Sequence, residues 1–172
     1  MKDAKKLMQA AKLLTILVAA SADGSAQQPT RRLIVSIPDR KIALFQDGRL
    51  VKVYRIAVGK PSTPSPSGSF RIVTRVQRPT YYHAGKVVGP GPQNPVGTRW
   101  MGLGYLGYGI HGTNAPGSIG KAASHGCIRM RNSDVEELFK LVEVGDSVEL
   151  VAHPDQELTR IFAPVTAEGG IQ

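Results

Sequence analysis

One cysteine, Cys127, is all that the 172 residues contain. An internal disulfide is therefore excluded, and the thiol is left as an inert buried side chain, a bridge to another molecule or a working nucleophile. Acidic residues are scarce as well: 13 Asp and Glu stand against 22 Lys and Arg, for a net charge of +9. That balance suits an anionic partner, whether nucleic acid, anionic lipid or an acidic polymer, and equally a solvated basic surface with no partner. Internal repeats and low-complexity tracts are absent, so nothing points to a solenoid or an array. Long apolar runs are absent too, apart from one near the start that is too short for a permanent bilayer span.

That run, Leu13-Leu14-Thr15-Ile16-Leu17-Val18-Ala19-Ala20, follows Lys2, Lys5, Lys6 and Lys12 and precedes small residues at Ala20-Ser21-Ala22 and Gly24-Ser25-Ala26. A charged start, an apolar middle and a small-residue exit make a signal peptide over residues 1–26, with cleavage near 22 or 26 and a mature protein in the periplasm or cell envelope. Cleavage after Ala22 would remove four lysines and Asp3, leaving 18 basic against 12 acidic side chains, or +6. In that compartment the expected anionic partner is the carboxylate-bearing peptide of the cell wall. A nucleic-acid partner would explain the charge but neither the export signal nor the thiol.

The length suits one domain with a real core. Apolar residues at 41% and charged residues at 20% are globular proportions, while 19 Gly and 12 Pro point to many turns and a mainly β chain. Leu33, Val35 and Ile37 alternate along a first strand, Pro38-Asp39-Arg40 makes a turn, and Ile42 and Leu44 resume the alternation. Asp47-Gly48 signals a two-residue hairpin. The strand after it, from about Arg49 to Val58 with Tyr54, Ile56 and Val58 on one face, reads as central, and Gly59 to Gly68 as a proline-punctuated loop. A further strand is expected through Phe70, Ile72, Thr74 and Val76.

From Gln77 to Gly109 periodicity fails, and the segment reads as a long functional loop or as irregular β-structure with packed aromatics. Tyr81, Tyr82, His83 and Trp100 are expected to line a flap there, with packing inside the fold as the rival. One helix is expected from Ser133, with a Ser133/Glu136 capping box and an apolar stripe of Val135, Leu138, Phe139 and Val142. A final strand follows at Val148 to Val151, and residues 152–172 are expected to fray.

Ile110-His111-Gly112-Thr113 and Ser124-His125-Gly126-Cys127-Ile128-Arg129 hold the chemistry. A thiol becomes a strong nucleophile only once deprotonated, so acyl transfer needs an imidazole in reach and donors for the oxyanion. Two imidazoles are candidates. His125 lies two residues before the cysteine, whereas His111 must arrive from a separate element, as bases in cysteine enzymes usually do. Gly126 would let neighbouring amides turn inward as an oxyanion site. A zinc site of His111, His125 and Cys127, or a buried cysteine beside two hydrogen-bonded histidines, would use the same residues differently.

His111-Gly112-Thr113, fifteen intervening residues, and then Ser-His-Gly-Cys-Ile-Arg resemble the signature of the YkuD-type L,D-transpeptidase catalytic domain. The layout of residues 31–151 resembles that family too. The resemblance implies a β-sandwich-like fold with one amphipathic helix on a sheet. It implies that Cys127 attacks the L,D amide of a peptidoglycan tetrapeptide stem, releases D-Ala and passes the acyl group to an amine. Water as acceptor would give a carboxypeptidase or hydrolase from the same site. It further implies His111 as base oriented by the Gly112 carbonyl, a depressed Cys127 pKa that depends on His111, His125 as a site-shaping residue, and Gly126 at the oxyanion site. Arg129 and Ser124, with Tyr81, Tyr82 and Trp100, are the expected substrate contacts. Carbapenems are the expected covalent inhibitors, with no cofactor or metal, and the chain is expected to be a monomer. Arg129 stands where Asn is common in such sequences.

Overall fold

The structure is a computed structural model and describes residues 29–105 and 107–163. The expected signal peptide lies outside these residues, as does the end of the tail. Three antiparallel strands open the domain: β1 (Arg31–Ser36), β2 (Lys41–Gln46) and β3 (Arg49–Arg55). Asp47 and Gly48 join the last two with φ of 50° and 76°, the left-handed pair that a type I′ hairpin demands. Short strands follow: β4 (Val58–Gly59), β5 (Gly68–Arg71), β6 (Thr74–Gln77), β7 (Tyr81–His83), β8 (Lys86–Val88), β9 (Arg99–Gly102), β10 (Gly109–His111), β11 (Ala122–Ser124) and β12 (Ile128–Arg129). Helix α1 (Asn132–Leu141), strand β13 (Ser147–Val151) and helix α2 (Gln156–Phe162) complete the described chain.

Two sheets organise the fold. One has five strands in the order β3-β2-β1-β13-β5, the other four in the order β12-β10-β9-β6. Alternation along the strands sends Leu33, Val35, Ile42, Leu44, Val148 and Leu150 from the first sheet into one core with Met101, Ile110 and Ile128 from the second. Helix α1 adds Val135, Leu138 and Phe139 against β9 and β10. Each such fully buried aliphatic side chain contributes about 1.5–3 kcal/mol relative to exposure. Because the first sheet is covered on its other face by α2, Ile34 and Ala43 are buried there beside Phe162.

Four expectations need correction. The strand after the hairpin is an edge strand, not a central one, and it ends at Arg55, although Tyr54, Ile56 and Val58 do reach the core. The stretch from Phe70 to Val76 is two strands in different sheets. The chain crosses at buried Ile72, whose N–H donates to the Asp146 carbonyl, while Val73 N–H donates to Gly102 of the second sheet. No capping box forms, because the helix already begins at Asn132 with Arg131 as its cap, and Ser133 Oγ donates to the Asp134 carboxylate at 3.1 Å. Of the two readings of the aperiodic segment, irregular β-structure is the one observed, as the β7–β8 hairpin and β9. The tail forms a second helix, α2, because Asp155 caps it and Phe162 buries against the sheet.

Candidate active site

In the four-stranded sheet, Val76, Trp100, His111 and Arg129 are direct cross-strand neighbours, so their side chains form one row. The adjacent row, Met101, Ile110 and Ile128, points the other way into the core. A period of two thus makes one face of a small sheet apolar support and the other the floor of a cleft. Cys127 precedes β12 by one position and Arg129 by two, which brings it to the cleft face. The cleft has a volume of about 630 Å³, and Cys127, His111 and Arg129 all line it. Tyr81, Tyr82 and His83 of the β7–β8 hairpin contribute a wall above this floor.

His111 is only 4% exposed. Its Nδ1 meets the carbonyl oxygen of Gly112, and the ring stacks on Trp100 with centroids 5.5 Å apart and planes 19° off parallel. Since a carbonyl can only accept, Nδ1 carries the proton and Nε2 keeps the lone pair. Burial lowers the His111 pKa to about 4; the Gly112 hydrogen bond opposes this, and the Arg129 cation reinforces it. The ring is neutral at pH 7, as a general base must be.

Cys127 donates its S–H to the Gly107 carbonyl at 3.4 Å. Burial pushes the thiol pKa up, while a backbone hydrogen bond from Gly109 and the Arg129 cation pull it down. The expected depression of the thiol pKa is therefore corrected to a rise. The rise at the thiol and the fall at the imidazole both favour the neutral pair over an ion pair.

The model of the L,D-transpeptidase catalytic domain, the YkuD family, matches residues 30–150. The chain belongs to that family. Among curated relatives, the YkuD protein of Bacillus licheniformis, named as an L,D-transpeptidase, is 46% identical over 119 residues, covering 69% of this chain and 64% of its own length. The similarly named YqjB of Bacillus subtilis is 39% identical over 121 residues, covering 67% of this chain and 68% of the relative. An Enterococcus faecium L,D-transpeptidase of known structure is 27% identical, with a TM-score of 0.61 over 71% of this chain and half of that one. The transpeptidase LdtMt1, solved in complex with imipenem, has the same fold at 21% identity and a TM-score of 0.61, covering 72% of this chain and 59% of that one. This chain thus spans about two thirds of the two Bacillus relatives and less of the solved structures.

Within this family member the remaining expected residues sort by what their atoms are free to do. His125 is exposed and Arg129 half-buried, and both line the cleft. Trp100 belongs to the floor, not the flap, because it sits on β9 opposite His111. Tyr81 is half-buried and Tyr82 is 72% exposed, both on the hairpin rather than in the core.

Ser124 lines the cleft and also braces the turn that carries the cysteine. Its buried hydroxyl accepts from Gly126 N–H at 3.0 Å and donates to the Cys127 carbonyl at 2.6 Å. The Gly126 amide is thereby committed and cannot also serve an oxyanion. Gly126 is needed for another reason: its φ is +113° and a Cβ there would lie 2.5 Å from Tyr108 Cε1.

Two contributors escaped the sequence reading. Ser65, inside the proline-rich loop, donates to the Gly126 carbonyl at 2.8 Å and accepts from Gly59 N–H at 2.9 Å, so it clamps the turn that carries the cysteine. Asn94 is fully buried, and its Nδ2 faces the carbonyls of Pro79, Val88 and Gly89 at 2.7, 3.3 and 3.1 Å, tying both ends of the hairpin. Asn94-Pro95 does signal a turn, and Asn94 Oδ1 accepts from Val96 N–H at 2.9 Å as an Asx turn would. The hairpin anchoring leaves no sequence mark.

Among the described residues, no group of three or more His, Cys, Asp and Glu side chains is gathered to hold a metal ion.

Proposed function

We propose that the protein is an exported peptidoglycan L,D-transpeptidase that uses Cys127 as nucleophile and His111 as base. One observation carries this reading: the row on the four-stranded sheet brings His111 into the same cleft as Cys127, with Nδ1 held by Gly112 so that Nε2 is the atom left to take the thiol proton. LdtMt1, which shares this fold, was solved in complex with imipenem, and that supports a carbapenem as the probe of the thiol.

The donor amide between the diamino acid and the terminal D-Ala of a tetrapeptide stem lies against Cys127. Nε2 removes the S–H proton, sulfur bonds to the carbonyl carbon, and the oxyanion is met by main-chain donors other than Gly126, the Cys127 amide foremost. The imidazolium returns its proton to the amine of D-Ala as the C–N bond breaks, leaving a thioester. An acceptor amine then attacks the thioester, loses a proton to His111, and the thiol is released. A side-chain amine of a second stem as acceptor closes a 3-3 cross-link. The Arg129 cation favours a thiolate and disfavours a second positive charge on His111, so it steers the proton away from the ring between turnovers.

Incubation of the mature protein with defined tetrapeptide muropeptides, read by mass spectrometry, tests the reaction. A cross-linked dimer with loss of D-Ala is the expected product. D-Ala loss alone would make water the acceptor, and shortened cross-links would make the protein a hydrolase. A carbapenem should add one drug mass to the wild type and none to Cys127→Ala; an adduct that persists in the variant removes the nucleophile assignment. Intact mass from the envelope fraction of the native cell should show a chain starting near Asp23 or Gln27, and full-length protein confined to the cytosol would overturn export.

A further inference from the structure

We propose that Asn132, the first residue of α1, is a positioning residue that sets the tautomer of His111 by locking the Gly112–Thr113 peptide plane; the functional meaning of this rests on His111 being the base. Two consecutive peptide groups follow from the strand, and each has its polar atoms assigned. The His111 carbonyl accepts from Met130 N–H at 2.8 Å, and Gly112 N–H donates to the Arg99 carbonyl at 3.1 Å. The next plane carries the Gly112 carbonyl, which holds His111 Nδ1, and the Thr113 N–H, which donates to Asn132 Oδ1 at 3.2 Å. A peptide plane is rigid, so fixing the direction of its N–H fixes that of its C=O. The helix delivers Asn132 Oδ1 to one edge of the plane and the plane presents its carbonyl to the ring at the other.

The packing around Oδ1 is tight. A second N–H, that of Thr98, also donates to it, at 3.3 Å. A Cβ on either Gly97 or Gly112 would lie 2.2 Å from the same oxygen, and Gly97 has φ +62°. Two main-chain segments therefore reach this oxygen at positions where only glycine fits. Asn132 supplies no helix cap, since Arg131 occupies the cap position and the structure gives it no side-chain cap bond. Its carbonyl oxygen serves the site rather than the helix end.

A merely structural tie and a tautomer lock differ in what they do to the ring. Without the Asn132 acceptor the Gly112–Thr113 plane can rotate, Nδ1 loses its carbonyl, and protonation at Nε2 becomes competitive, which places a hydrogen where the lone pair must face the thiol. Nitrogen-15 NMR of the imidazole, in the full mature chain without substrate, separates the two. The wild type should show a single neutral tautomer protonated at Nδ1. Asn132→Ala should show a mixture, with carbapenem acylation slowed roughly tenfold to hundredfold, the range for loss of an orienting partner. Asn132→Asp keeps an oxygen for both N–H groups and should restore the single tautomer, so a folding failure of the alanine variant leaves the aspartate variant as the test. An unchanged tautomer in folded Asn132→Ala, or a mixed tautomer in folded Asn132→Asp, overturns the proposal. The NMR readout does not depend on turnover, so failure of the transpeptidase reading would show in the muropeptide assay and not here.

Discussion

The five-stranded and four-stranded sheets share one core but put their strands to different uses. In the first, strands run four to seven residues with a register shift between Leu44 and Phe45 where β2 pairs β3, and β1 and β2 bury side chains on both faces. In the second, strands of two to four residues bury one face and leave a polar and aromatic row on the other. Burial in such a row keeps the histidine neutral, since desolvation opposes its protonation. The difference shows where rigidity comes from. The small sheet holds His111 and Arg129 in place because its back is packed against residues that the large sheet and α1 supply.

That division can be broken from either side, and the largest effect should come from the floor. His111→Ala removes the proposed base, so carbapenem acylation of Cys127 should slow by about a hundred to ten thousand. The fold, followed by circular dichroism, should be unchanged. Retention of near wild-type acylation would place the base elsewhere, with His125 the alternative in the same cleft.

Leu44→Ala attacks the other sheet. Leu44 is 1% exposed in the shared core, so denaturant unfolding should show a loss of about 2–5 kcal/mol. Its folded fraction should acylate at close to the wild-type rate. A rate that falls with stability would show the two sheets to be less separable than the geometry implies.

Acid should sharpen the contrast. The folded-state pKa of His111 is about 4, below the ordinary histidine value of about 6.5, so the unfolded chain binds more protons between those values. Stability contributed by the neutral ring is complete above about pH 6.5 and is lost as pH falls toward about 4, amounting to about 3 kcal/mol. Unfolding measured at pH 7 and pH 4.5 should show this loss in the wild type and a flatter profile in His111→Asn. An identical acid dependence in both would assign the effect to other groups.

The smallest effect is expected at the hairpin. Tyr82 is 72% exposed and lines the cleft, so Tyr82→Ser should leave the melting temperature nearly unchanged and raise the apparent KM for the donor peptide a few-fold. A large loss of stability would return Tyr82 to a packing role.

Legibility in the sequence follows the same division. Leu33, Val35, Ile42 and Leu44 alternate over long enough runs for the periodicity to be read, and Asp47-Gly48 announces its turn through the conformations those residues tolerate. The strands of the small sheet are too short to show a period, and three of its residues, Gly102, Gly109 and Trp100, blur the pattern further. Cys127, His111 and the Gly112 carbonyl were nonetheless legible because a motif, not periodicity, carried them. Ser65 and Asn94 were not, since a hydrogen bond from a serine hydroxyl to a carbonyl sixty-one positions away depends on topology and has no local pattern. The rise of the thiol pKa was missed for a related reason: it comes from burial, which the motif does not encode.

One feature of the large sheet bears on how the chain reaches this state at all. β1, formed first in sequence, lies between β2 and β13 and pairs in parallel with β13, from Arg32 opposite Ser147 to Ser36 opposite Val151. A nascent chain can close the β1–β2–β3 meander early, but one edge of β1 stays bare, with its amides and carbonyls open, until the far end of the domain has arrived. Closing so long a loop before any contact rewards it is slow. Synthesis that halts before Ser147 therefore leaves a sticky half-sheet, a substrate for proteases and for pairing with a second chain, rather than a smaller working enzyme.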